Sequence, residues 1–205
     1  MIYEVRTYTL KPGSVHAYEE SFAEALPERV KFSPLAAFWH TEIGPLNQVV
    51  HVWPYEDLAE RNKIRAESVN SGKWPPKHND LIVNMESEIW FPADFMTPFK
   101  GDVKLGNIYE MRIYTYKPGS IGEALKKWSE AIEHREKYSK LAFGMYTDIG
   151  GLNKWMHIWP YEDLQDRNET RAKSMQDPNW PPQTREFIVK QENKILVPAP
   201  FSPMH

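Results

Sequence analysis

The chain carries one long pattern twice. Residues 47–66 read NQVVHVWPYEDLAERNKIRA and residues 153–172 read NKWMHIWPYEDLQDRNETRA. The offset is 106 residues, and it holds without a gap from Ile2/Ile108 to Pro92/Pro198. This is a tandem duplication, so the two halves must adopt the same fold. Each copy has the length of a small domain. Residues 91–106 hold Pro92, Pro98, Gly101 and Gly106 and separate the copies. The expected division is a first domain over 1–98, a linker over 99–106 and a second domain over 107–205.

Each copy alternates strand and helix signals. Residues 2–10 (IYEVRTYTL) are β-branched and aromatic, which predicts a strand. Lys11-Pro12-Gly13-Ser14 ends it, with Ser14 placed to cap a helix; Ser120 and Glu123 have the spacing of a capping box. That helix is expected to run to about Lys31, with Pro27 kinking or ending it in the first copy only. Strands are predicted over 36–43 and 48–53, the second stopped by Pro54. A helix follows to about Asn70, acidic in its first turn (Glu56 and Asp57; Glu162 and Asp163), its buried stripe read as Leu58, Asn62, Ala66 and Val69. After Trp74-Pro75-Pro76 comes a strand over 81–90. The order βαββαβ, twice, is an α+β fold of two ferredoxin-like units. One sheet with helices on one side leaves its other face bare, so the two units are expected to face their sheets together as an intramolecular α/β barrel. The strand over 36–43 is expected at an edge, which would favour homo-oligomers.

Composition narrows the function classes. Net charge is -3 and the Lys and Arg residues are scattered, so the electrostatic footprint of a nucleic-acid binder is missing. The chain has no cysteine, which excludes disulfides, thiolate nucleophiles and Cys-ligated metals; a cytoplasmic location is the expectation. No apolar run is long enough to span a bilayer. No Gly-rich phosphate loop or dinucleotide fingerprint occurs.

The positions of Ile2-Tyr3-Glu4-Val5-Arg6-Thr7-Tyr8 with Lys11-Pro12-Gly13, then His51-x-Trp53 and the Arg61-Asn62/Arg65 helix, recur in order in the second copy, with Met111 and Ile113 in place of Val5 and Thr7. In these residues the chain resembles the NIPSNAP family. The resemblance implies a dimeric α/β-barrel fold, whose superfamily includes small monooxygenases, haem-degrading enzymes and chlorite dismutase-like proteins. Animal relatives are associated with mitochondria, although residues near Met1 do not resemble a transit peptide.

Strand alternation sorts the candidate site. Glu4, Arg6 and Tyr8 share one strand face, as do Glu110, Arg112 and Tyr114; His51 and Trp53, and His157 and Trp159, share a face of the neighbouring strand. The more apolar sets (Val50 and Val52; Ala37, Trp39, Thr41 and Ile43) are expected under the helices, and the mixed polar-aromatic sets between the two sheets. There the charges would either satisfy one another or bind a ligand. Asn62 and Arg65, with Asn168 and Arg171, are candidates for a helix-side pocket, where superfamily enzymes bind substrate. His51 and His157 lack a second ligand at metal spacing, and His40 becomes Tyr146 in the second copy. No metal site or cofactor is therefore expected, with haem left as the alternative. The functional expectation is a small organic ligand in a barrel or helix-side pocket, with cofactor-independent oxygenase-like chemistry as its catalytic form. The competing expectation is a non-catalytic scaffold with a structural polar barrel interior.

Overall fold

The computed structural model describes all 205 residues, Met1–His205. The first half runs β1 (Ile2–Leu10), α1 (Val15–Arg29), β2 (Ala37–Ile43), β3 (Gln48–Tyr55), α2 (Leu58–Asn70) and β4 (Ile82–Pro92). The second repeats it as β5 (Ile108–Tyr116), α3 (Ile121–Glu136), β6 (Phe143–Ile149), β7 (Lys154–Tyr161), α4 (Leu164–Ser174) and β8 (Ile188–Pro198). The eight strands close into one antiparallel barrel in the order β1-β3-β2-β8-β5-β7-β6-β4.

Closure is reciprocal. β8 of the second half pairs with β2 of the first, Trp39 opposite Pro198, and β4 pairs with β6, Pro92 opposite Met145. The expected free edge at β2 is therefore covered by the other half, and that route to oligomers is closed. The segment after β4 and the C-terminal tail run side by side, with Val103 bridged to Met204 and the Leu105 amide donating to the His205 carbonyl.

The two faces of the sheet are the reverse of the sequence expectation. Tyr3, Val5, Trp39, Val50, Val52 and Trp90 point into the barrel, packed with Tyr109, Met111, Phe143, Met145, Met156 and Ile158 of the other half. Contact across the halves is direct: the Trp39 and Tyr109 rings are 5.2 Å apart and those of Tyr3 and Phe143 5.7 Å. Glu4, Arg6, Tyr8, His51 and Trp53 face outward, under α1 and α2. The cause is charge supply. Facing sheets offer one another no counter-charges, so the barrel interior takes the apolar set, whereas the helices bring the arginines that a buried Glu4 requires. The scaffold reading with a polar barrel interior loses its premise.

Local departures have local causes. β3 continues through Pro54 to Tyr55, opposite Tyr3 and Ile2. Its pairing with β2 ends at Val52, so no ladder partner on that side needs the amide hydrogen that Pro54 lacks. Ser14 and Ser120 make no side-chain cap; the Ser120 hydroxyl donates to the Lys117 carbonyl instead. The caps that form are Asp57 and Asp163, which accept from the amides of Glu60 and Asp166 at 2.8 Å. Pro27 lies in the last turn of α1, which ends at Arg29, whereas α3 continues to Glu136, the counterpart of Val30.

Candidate functional site

Each half holds a cavity between its sheet and its helices. In the first half it measures about 560 Å³ and is lined by Arg6, Tyr8, Arg29, His51, Trp53 and Arg65, among others. In the second it measures about 400 Å³, with Arg112, Tyr114, Arg135, His157, Trp159 and Arg171 in the same places. The strand candidates and the helix candidate Arg65 thus meet in one site, on the helix side rather than inside the barrel. Asn62 and Asn168 do not join it. Both are exposed, and each only accepts a hydrogen bond from the preceding arginine at 2.9 Å. The buried residues of α2 are Ile64 and Ser68, with Arg61 and Arg65 half-buried beside them, so Asn62 lies off the face that meets the sheet.

Beneath each cavity, outside its lining, lies a buried carboxylate ringed by guanidiniums. Glu4 is fully buried, and its Oε1 accepts from Arg6 at 2.6 Å, Arg61 at 2.5 Å and Ser87 at 2.7 Å, with Arg65 3.6 Å from Oε2. Glu110 repeats this with Arg112 at 2.7 Å, Arg167 at 2.6 Å and Arg171 at 3.4 Å. Burial works against ionising Glu4, but the bonds from Arg61 and Ser87 and the charges of Arg6 and Arg65 outweigh it and bring its pKa down to about 2. Burial works against ionising Glu110 too, and the bond from Arg167 with the charges of Arg112 and Arg171 lowers its pKa. The Arg6 Nε also donates to the Tyr8 hydroxyl at 2.7 Å, which fixes the phenol beside the cavity.

The wall is aromatic, and its histidine has a defined tautomer. The Trp53 indole N–H, which can only donate, lies 2.6 Å from His51 Nδ1, and Trp159 lies 2.7 Å from His157 Nδ1. Nδ1 is therefore the acceptor and the hydrogen sits on Nε2. Both Nε2 atoms are buried without a hydrogen-bond partner. Burial first, then Arg6 or Arg112, holds the two imidazoles well below the ordinary histidine range, so they are neutral. A metal-binding or haem-binding imidazole offers Nε2 as a lone pair while Nδ1 carries the hydrogen. Here the indole occupies Nδ1, so the pair does not fit axial ligation of haem, and nowhere do three or more His, Asp or Glu side chains gather as a metal site would need.

Several site residues escaped the strand-based reading. Arg61 and Arg167 hold the carboxylates. Arg29 and Arg135 stack their guanidiniums 4.2 and 4.3 Å from the rings of Trp53 and Trp159 and donate to Tyr55 and Tyr161 at 2.9 Å. Trp74 and Trp180 close the cavities from the loop, each before a cis proline. All three pairs are identical across the repeat. That signal, applied to the helices and loops as well as the strands, finds them.

The NIPSNAP family model matches residues 3–97 and again 109–203. The chain belongs to the NIPSNAP family. It is 32% identical to human Protein NipSnap homolog 3B, over 98% of this chain and 85% of that protein, and 30% identical to human Protein NipSnap homolog 3A, over 100% and 86%. Among solved structures, this NIPSNAP chain superposes on a monooxygenase-like protein from Lactobacillus acidophilus with a TM-score of 0.65 at 11% identity, covering 96% of this chain and 92% of that one. An anthrone oxidase-like protein gives 0.60 at 7% identity, over 97% and 91%. At those identities the likeness concerns the fold.

Proposed function

We propose that this NIPSNAP protein binds a small organic molecule with a flat, largely apolar body in each of its two helix-side cavities. The observation that carries the reading is the same in both halves: a buried imidazole N–H with no partner, beside a cavity walled by tryptophan and tyrosine. A buried donor left unpaired costs about 1–3 kcal/mol, and a ligand oxygen placed there would remove that cost. The cavities have the size and the mixed lining of ordinary small-molecule sites.

The fold likeness to monooxygenase-like and anthrone oxidase-like proteins supports a catalytic form of this reading, in which the ring donors hold the oxygen of an aromatic ketone or its enolate. Proton abstraction is the weaker part of that form. Glu4 and Glu110 are clamped by three arginines each, and His51 and His157 present N–H groups rather than lone pairs. Binding with stabilisation of a ligand oxygen is what the geometry supports best.

Titration with 2-naphthol, followed through the fluorescence of the cavity tryptophans, tests the reading. A saturable change is expected. The paired substitutions Val69→Phe and Met175→Phe, at exposed positions on the cavity walls, should abolish it without lowering the melting temperature. No saturable change with the unmodified protein, or a change that survives both substitutions, would overturn the proposal.

A further inference from the structure

Charge in the two cavities is unbalanced, and unequally so. In the first half Arg6, Arg29, Arg61 and Arg65 stand against one carboxylate, Glu4, and no Asp or Glu lines the cavity. The second half repeats this with Arg112, Arg135, Arg167 and Arg171 against Glu110, again with no acidic residue in the lining. Several guanidiniums crowded in a partly desolvated space repel one another. Arg29 and Arg65 are pushed below the ordinary arginine range by burial first, with neighbouring arginines adding to it.

The halves then diverge at the positions that matter to a ligand. Arg29 has both terminal nitrogens engaged, one by the Ser33 hydroxyl at 2.9 Å and the other by Tyr55. In the second half the hydroxyl of Ser139, the counterpart of Ser33, donates to the Pro160 carbonyl, and one terminal nitrogen of the buried Arg135 has no partner. Asn79 in the first lining is replaced by Arg185 in the second, and Met85 by Gln191. Neither Arg185 nor Asn79 is buried.

Resting on the reading of the cavities as small-molecule sites, we propose that both take an anionic ligand. The second-half cavity, with its unpartnered Arg135 nitrogen, Arg185 and Gln191, is built for a dianionic head group such as a phosphate monoester, and the roomier first-half cavity for a monoanion such as a carboxylate. Arginine suits both, since its planar fork donates two parallel hydrogen bonds to carboxylate or phosphate oxygens. A phosphate monoester carries close to two charges at neutral pH and offers three acceptor oxygens, more than a carboxylate can present to the donors of this lining.

The probes are 2-naphthol, 2-naphthoate and 2-naphthyl phosphate, which share one ring system and differ in charge, titrated calorimetrically into the full chain. Both anions should bind at least tenfold more tightly than 2-naphthol, and the phosphate ester should show one tight and one weaker site. Arg185→Asn, which installs the first-half residue at an exposed position, should weaken the tight phosphate site about tenfold and leave the fold intact. Asn79→Arg should convert the weaker site to a second tight one. Equal affinity for all three probes overturns the anion assignment while leaving small-molecule binding standing. Two phosphate sites of equal strength, or a tight site unmoved by Arg185→Asn, overturn the division between the halves. Failure of all three probes overturns this proposal together with the reading it rests on.

Discussion

At Glu4 a single carboxylate holds together three cations from two elements. Its removal is expected to cost more than the loss of any one partner. Glu4→Gln leaves Arg6, Arg61 and Arg65 facing one another and should lower stability by about 3 kcal/mol or more. Arg6→Met leaves Glu4 with two arginines and should cost about 1–2 kcal/mol. Urea denaturation of the two variants checks the order, and the account fails if Arg6→Met is the more damaging. The histidines give a second expectation. His51 and His157 titrate in the folded protein well below 6.5, mainly because they are buried, so the unfolded chain takes up two protons that the folded chain refuses. Their contribution is fully present above pH 6.5 and is lost as pH falls from there towards their folded values. His40 has the opposite sign. The Glu19 carboxylate, 2.8 Å away, raises its pKa, so its stabilisation is present below pH 6.5 and lost as pH rises. Below pH 6.5 His40 is protonated in both states and adds no slope, so the two buried histidines set it, and stability should fall by up to about 2.7 kcal/mol per pH unit between roughly pH 6 and 5. A urea midpoint that stays level over that interval would sink this.

Among the elements, α2 is where the sequence misled. Its pattern offered Leu58, Asn62, Ala66 and Val69 as a buried stripe, yet Leu58 is 40% and Val69 52% exposed. The face that meets the sheet carries Arg61, Ile64, Arg65 and Ser68, because Glu4 beneath it demands cations. Hydrophobic periodicity assumes that buried means apolar, and it fails on a helix whose buried partner is a carboxylate. Asn62→Leu is accordingly expected to change stability by less than about 0.5 kcal/mol and to leave ligand uptake unaltered; a large loss of either would restore Asn62 to the site. The strands were more legible. Alternation grouped Glu4, Arg6 and Tyr8 with His51 and Trp53 correctly, since Arg6 lies opposite His51 and Glu4 opposite Trp53. It could not say which side of the sheet that group faces, because both sides are buried and each offers aromatic neighbours. The repeat itself held further information in compensating exchanges. Phe38 becomes Gly144 while Val49 becomes Trp155, and the ring stacked on the histidine passes from β2 to β7: Phe38 on His51 in one half, Trp155 on His157 in the other.

For the whole molecule, the barrel is shared rather than juxtaposed. Each half's fourth strand completes the other's sheet, so one half alone carries two unpaired edges and a bare apolar face built of Tyr3, Val5, Trp39, Val50, Val52 and Trp90. Residues 1–98 expressed alone are therefore expected to pair with a second copy, β4 of each against β2 of the other. Sedimentation equilibrium should give twice the chain mass, and a folded monomer at micromolar concentration would contradict the prediction. The fold class, the duplication and the facing of the two sheets were all readable from the 106-residue period. Strand exchange between the halves was not, because it is decided by register and twist at the barrel seam rather than by residue type.

The exchange of strands also sets a schedule for synthesis. β2 is complete at Ile43, but its partner β8 ends at Pro198. At about 5–20 residues per second, β2 waits roughly 8–30 s after its own translation for the strand that covers it. Through that interval the nascent first half exposes an open edge and the tryptophans and valines meant for the barrel. A second ribosome on the same message presents the same surface, and the two nascent chains are competent to complete each other. Placing both halves on one chain makes the correct partner the nearest one, so the duplication acts as a kinetic safeguard: the faster translation proceeds from Ile43 to Pro198, the smaller the share of chains that close on a neighbour instead of on themselves.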